Sequence, residues 1–106
     1  MDVSFSFTGR VWLWTGPASW HFITLPEDRA AEIAFFCAQA RSGHKRGFGA
    51  VRVSVQTGKT SWKTSLFPDK ASGSYLLPVK ASARKAEHLT AGDQAELRVS
   101  VISDLP

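Results

Sequence analysis

The chain has one cysteine, one methionine and one tyrosine in 106 residues, and between residues 33 and 85 it carries a single acid, Asp69. Each scarcity excludes something. Cys37 alone forms no intramolecular disulfide, which excludes a disulfide-stapled scaffold and suits a reducing compartment, and a packed structural thiol is the expectation. No apolar run approaches the ~20 residues of a helical membrane span. The start, Met1-Asp2-Val3-Ser4, has neither the basic nor the apolar region of an export signal. A soluble, cytoplasmic protein with no membrane partner is therefore expected. His21, His44 and His88 fall in a strand, a loop and a helix end, with no pair at metal-ligand spacing, so neither a metal nor a cofactor is expected. Ser61, Ser65, His21 and Asp69 supply hydrolase residue types, but the strand-to-helix nucleophile elbow is missing. Glu27 and Asp28 sit where a helix start explains both, which leaves no carboxylate pair for glycosidic chemistry.

What is abundant is positive charge, and it is concentrated. The net charge is +4. Ten lysines and arginines face that one acid between Ile33 and Lys85, while both flanking segments are net acidic. A basic middle segment can form a face for phosphates or other anions, or a solvated surface. Both readings stay open at this point.

Hydrophobic periodicity supplies the architecture. Val3, Phe5, Phe7, Gly9, Val11 and Leu13 alternate with Ser4, Ser6, Thr8, Arg10, Trp12 and Trp14, the period of two of a half-buried strand. The alternation puts Trp12 and Trp14 on the face that begins polar. Either a bulge near Gly9 turns them inward, which their size favours, or they form an exposed aromatic platform. The turn cluster Thr15 to Ser19 leads to a second strand, Trp20 to Leu25, completing a hairpin.

Pro26-Glu27-Asp28 opens a helix expected to run to about Ala40, with Ala30, Ile33, Phe36, Cys37 and Ala40 on its core face and Phe35 outside. An outward phenylalanine covers local surface or marks an oligomer contact, so monomer and homodimer both remain open. Arg41 to Gly49 is a glycine-rich basic loop without the spacing of a nucleotide-binding loop.

The third and fourth strands, Val51 to Gln56 and Thr60 to Phe67, flank the reversal Thr57-Gly58-Lys59. Trp62, Thr64 and Leu66 then point one way, and Ser61, Lys63, Ser65 and Phe67 the other. Pro68 to Gly73 reads as a loop and Tyr75 to Lys80 as a short strand, whose Pro78 belongs at an edge or a strand end. A short helix, Ala81 to Leu89, and a last strand, Gln94 to Ile102, complete the chain. This is one mostly β domain spanning 1–106: a closed or partly closed barrel of about six strands, mainly antiparallel, with one main helix and one short one.

The runs Phe7-Thr8-Gly9-Arg10-Val11-Trp12, Trp20-His21-Phe22 with Leu25-Pro26, Gly47-Phe48-Gly49 and Ser61 to Pro68 resemble domain-of-unknown-function family 1905. Gly73-x-Tyr75 to Lys80, Arg84-Lys85-Ala86 and Gly92-Asp93 fit the same family. The resemblance implies a double-split β-barrel and no particular activity. Leu77-Pro78-Val79-Lys80, Arg84, Leu89 and Gly92-Asp93 are also similar to the swapped-hairpin motif of AbrB-like regulators and MazE-like antitoxins. That similarity implies DNA binding, with Arg84 at the motif's helix arginine. Here the motif occurs once, in a chain long enough to close its own barrel.

The candidate site combines bases and aromatics: Arg52, Trp62, Lys63, Lys80 and Arg84, with Trp20 and His21 and the neighbouring Trp14. Such a set can grip an anion while a ring stacks on tryptophan, although for Trp62 a core position is the favoured reading. The expected function is a non-catalytic module that binds an anionic small ligand. Nucleic-acid binding is the alternative, and a hydrolase-like enzyme the third.

Overall fold

The computed structural model describes residues 3–16, 20–40 and 50–102, with side chains at 4–16, 20–35 and 50–102. The glycine-rich loop with His44, and the core-face residues Phe36, Cys37 and Ala40, fall outside the described residues or side chains.

Six strands and two helices follow in the order β1 (Val3–Leu13), β2 (His21–Thr24), α1 (Glu27–Ala40), β3 (Val51–Thr57), β4 (Thr60–Asp69), β5 (Ser74–Pro78), α2 (Ala81–Glu87) and β6 (Gln94–Val101). The strands close into an antiparallel barrel, β1-β2-β5-β4-β3-β6 and back to β1. Closure leaves no free sheet edge to template aggregation. Pro78 ends β5, where a missing N–H costs the ladder nothing.

Two strands divide their pairing, so the barrel consists of two sheets. Over Val3 to Arg10, β1 pairs with β6, and from Val11 to Leu13 it pairs with β2. Likewise β4 pairs with β3 up to Leu66, then with β5 from Phe67 to Asp69. Sheet one is thus the start of β1, then β6, β3 and the start of β4. Sheet two is the end of β1, then β2, β5 and the end of β4. This double split explains why β4 runs through Pro68 to Asp69, two residues past its expected end at Phe67. Its ladder changes partner there, and Pro68 lies opposite Tyr75 in the new one.

Gly9 marks the first crossing: a Cβ there would overlap the Ile23 side chain of β2. The interior is continuous across both sheets, with Val11, Ile23, Ile33, Val53, Val55, Leu66, Leu77 and Val99 fully buried. Helix α1 contributes Ala30 and Ile33 to this core and sets the Arg29 guanidinium 5.8 Å from the centre of the Phe5 ring. Phe35 is exposed, as its helical position predicts.

The tryptophans of β1 correct the favoured expectation. No bulge interrupts the register from Val3 through Leu13, so Trp12 and Trp14 emerge on the outer face, while the alternation of burial ends at Val11, because Leu13 at the strand end is 44% exposed. Trp12 is half-buried there, its Nε1 donating to Thr24 Oγ1 at 2.9 Å. Trp14 is exposed, with its ring folded over Gly16, where a methyl group would collide with it.

Candidate functional site

The second crossing opens a cleft. Beyond the Phe67–Leu76 pair, β4 and β5 diverge, and β5 runs through Val79 and Lys80 into α2. Between them lies a cavity of about 580 Å³. One wall is Thr64, Ser65 and Phe67 of β4, and the other is Pro78 to Ala81 with Arg84 of α2. Trp20 and His21, entering β2, border it as well.

The basic groups in the cleft are held by backbone geometry. Lys80 stands at the N-cap of α2 in extended conformation (φ −60°, ψ 148°), and its carbonyl accepts the Arg84 amide at 2.9 Å. One helical turn therefore brings their side chains to one wall. Arg84 Nε donates to the Val79 carbonyl at 3.3 Å, and no other hydrogen bond engages its guanidinium among the described residues. The tethered Nε orients the fork, and the two terminal nitrogens stay free for an anion.

Helix α2 is fixed at its far end by Glu87, whose Oε2 accepts the Lys59 amide at 3.2 Å and the Thr60 hydroxyl at 2.6 Å. This clips the helix to the β3–β4 turn. His88 then closes α2 in the left-handed region (φ 56°).

His21 anchors the opposite wall, its carbonyl accepting the Val79 amide at 2.9 Å. Its Nδ1 is out of contact with solvent and has no hydrogen-bond partner, a state that costs about 1–3 kcal/mol when nothing compensates it. The Ser61 and Ser65 hydroxyls make no hydrogen bond to a titratable side chain among the described residues. No three His, Cys, Asp or Glu side chains gather into a cation site among them either.

Of the residues singled out from sequence, Trp20, His21, Lys80 and Arg84 meet in this cleft. Arg52 and Lys63 instead stand on the outer face of sheet one, paired with Ser65 and Ser54 respectively, and do not line it. Trp62 is 7% exposed and packs in the core opposite Val55, its Nε1 unpaired.

The family model described as a domain of unknown function, DUF1905, matches residues 7–99. The chain belongs to this family. No curated protein matches it. The matched span of the DUF1905 domain includes β2, β4, β5 and α2, which together build the cleft. No helix of the domain is long and apolar enough to cross a membrane among the described residues.

Sequence reasoning missed Phe67, Thr64 and Ser65 as cleft residues. Alternation places Thr64 inside and Ser65 outside, and only the divergence of β4 from β5 exposes both to one space. A second, apolar groove of about 310 Å³ adjoins the cleft, lined by Trp14, Trp20, Phe22, Phe67 and Leu76. Trp20 and Phe67 belong to both. Trp20 stacks on Phe22 with ring centres 5.9 Å apart, and Phe22 meets Trp12 at 5.4 Å.

Proposed function

We propose that this DUF1905 domain is a non-catalytic binding module for a small anion that carries a ring or other apolar group. The observation that supports this reading is the pairing of Lys80 with a tethered Arg84 across a concave cleft from the exposed indole of Trp20. Cationic donors orient the anion, and the aromatic wall supplies contact area. Titration calorimetry with benzoate, phenyl phosphate and inorganic phosphate tests the reading. The aromatic anions should bind more tightly than phosphate, and Lys80→Ala with Arg84→Gln should abolish binding. No heat from any of the three, or binding unchanged in the double variant, overturns it.

A second reading, nucleic-acid binding, draws on the outer face of sheet one. There Arg10, Arg52, Lys63 and Arg98 are exposed, with Glu96 as the one carboxylate on that face among the described residues. The similarity of the β5–α2–β6 segment to AbrB-like motifs points the same way. Binding through several phosphates falls steeply with salt, so mixed-sequence DNA with no measurable affinity at low salt removes this reading.

A further inference from the structure

We infer that the ligand is an amphipathic anion, its charged group held by Lys80 and Arg84 and its apolar arm lying along the groove between Trp14, Phe22, Phe67 and Leu76. The inference rests on the anion-binding reading and names the ligand class more narrowly.

It starts from the way the two depressions join. The cleft is basic at the α2 end, while the groove beside it has an almost wholly apolar lining. Trp20 and Phe67 form the shared border, so a ligand leaving the cleft over these two rings passes into the groove. Both rings stand out from the surface, Trp20 at 45% exposed and Phe67 at 44%, with Trp14 beyond them at 41%. A contiguous exposed apolar patch of this kind marks a binding surface more often than chance placement does.

The patch is also held in shape. The Trp14 ring lies over Gly16, and the Trp14 amide donates to the Trp20 carbonyl at 2.8 Å, which sets the two indoles on either side of the hairpin end. Trp20 rests on Phe22, and Phe22 on Trp12. Phe67 and Leu76 face each other across the β4–β5 ladder. Stiff rings with two torsions each lose little freedom when a ligand covers them.

Charge selects the occupant. Among the described residues no carboxylate side chain lines either depression, whereas Lys80 and Arg84 sit at one end only. A ligand that satisfies both regions has its negative charge at one end and an uncharged apolar arm extending from it.

A homologous series of n-alkyl carboxylates, butanoate to dodecanoate at concentrations below micelle formation, tests this by calorimetry on the full chain, with dodecylammonium as charge control and benzoate as a short aromatic anion. Affinity should rise about fourfold per methylene until the groove is filled, and dodecylammonium should bind far more weakly than dodecanoate. Trp14→Ala should lower dodecanoate affinity about tenfold and leave benzoate affinity unchanged. If benzoate binds but alkyl length has no effect, the inference is overturned and the anion-binding reading stands. Equal binding of dodecylammonium and dodecanoate also overturns it, because the face is then a charge-blind apolar surface. If no anion of any length binds, both readings fall.

Discussion

The outer face of sheet one carries Ser4, Ser6, Thr8 and Arg10 of β1, Glu96, Arg98 and Ser100 of β6, Arg52, Ser54 and Gln56 of β3, and Ser61 and Lys63 of β4. The outer face of sheet two carries Trp12, Phe22, Leu76 and Phe67, with Trp14 and Trp20 beside them. One strand, β1, contributes to both faces without a break in its register. Its outward positions change from hydroxyls and arginine to indoles where the strand changes partner, between Arg10 and Trp12. An outward position therefore fixes solvent contact only as far as the neighbouring strands leave it uncovered. On sheet two the outward rings cover one another, and Trp12 also satisfies its Nε1 through Thr24. That mutual cover lowers the cost of keeping large apolar groups outside the core.

The largest effect is expected from the interior that both sheets share. Leu66 is fully buried at the last β4 position paired with β3. Leu66→Ala should destabilise the domain by about 2–5 kcal/mol, read as a lower urea midpoint, and both faces should be lost in one transition. At the other crossing, Gly9→Ala would press a methyl group into Ile23. About 1–3 kcal/mol is expected, with amide exchange accelerated in β2 more than in β6. A cost of a few tenths of a kcal/mol would mean that β1 passes between the sheets with room to spare.

Functional differences between the faces should be smaller. Arg84→Gln should weaken benzoate binding about tenfold, the equivalent of one charge-assisted hydrogen bond. Arg52→Ala and Lys63→Ala, both on sheet one, should change it less than twofold. A comparable loss from the sheet-one variants would erase the distinction. Glu87→Ala removes the clip between α2 and the β3–β4 turn. It should cost about 1 kcal/mol of stability and loosen anion binding without touching the cleft, whereas a purely local role would leave affinity intact.

The smallest effect belongs to Asp93, on the turn before β6. Its carboxylate accepts the Thr90 amide at 2.8 Å and the Thr90 hydroxyl at 3.1 Å. The backbone hydrogen bond first, and the hydroxyl second, hold its pKa below the ordinary aspartate value. A group with a depressed folded-state pKa adds stability above its unfolded value, and that stability disappears as pH falls through the folded one. Asp93→Asn should therefore lower stability slightly at neutral pH, where the ionised carboxylate contributes fully, and the difference from the parent should vanish as pH falls below the ordinary carboxylate range. A variant whose loss is uniform across pH would assign the turn to packing instead.

Most of the architecture was legible in the chain. Alternation identified the strands and, for β3, β4 and β6, the inward residues, because a half-buried strand imposes a period of two. The proline and paired acids at Pro26-Glu27-Asp28 placed the start of α1 to within a residue. The candidate site was legible in part. Lys80 and Arg84 are neighbours at one helical turn, so their proximity follows from local geometry, whereas their meeting with Trp20 and His21 joins segments some 60 residues apart. Arg52 and Lys63 matched them in charge, but charge carries no information about which sheet a residue stands on, and both lie on sheet one, away from the cleft.

Read without its fold, the chain already carries the six strands, the two helices, the inward residues of β3, β4 and β6 and the concentration of positive charge in the middle segment. Those follow from periodicity, turn residues and counting, all local properties. Barrel closure alone sets where β1 and β4 leave one sheet for the other, and that departure gathers Trp12 and Trp14 with the rings of β2 and β4 on one aromatic face and opens the cleft beside Arg84. The reason is physical: a strand's pattern specifies which side chains face inward, but which neighbour covers the others is fixed by closure of the whole barrel.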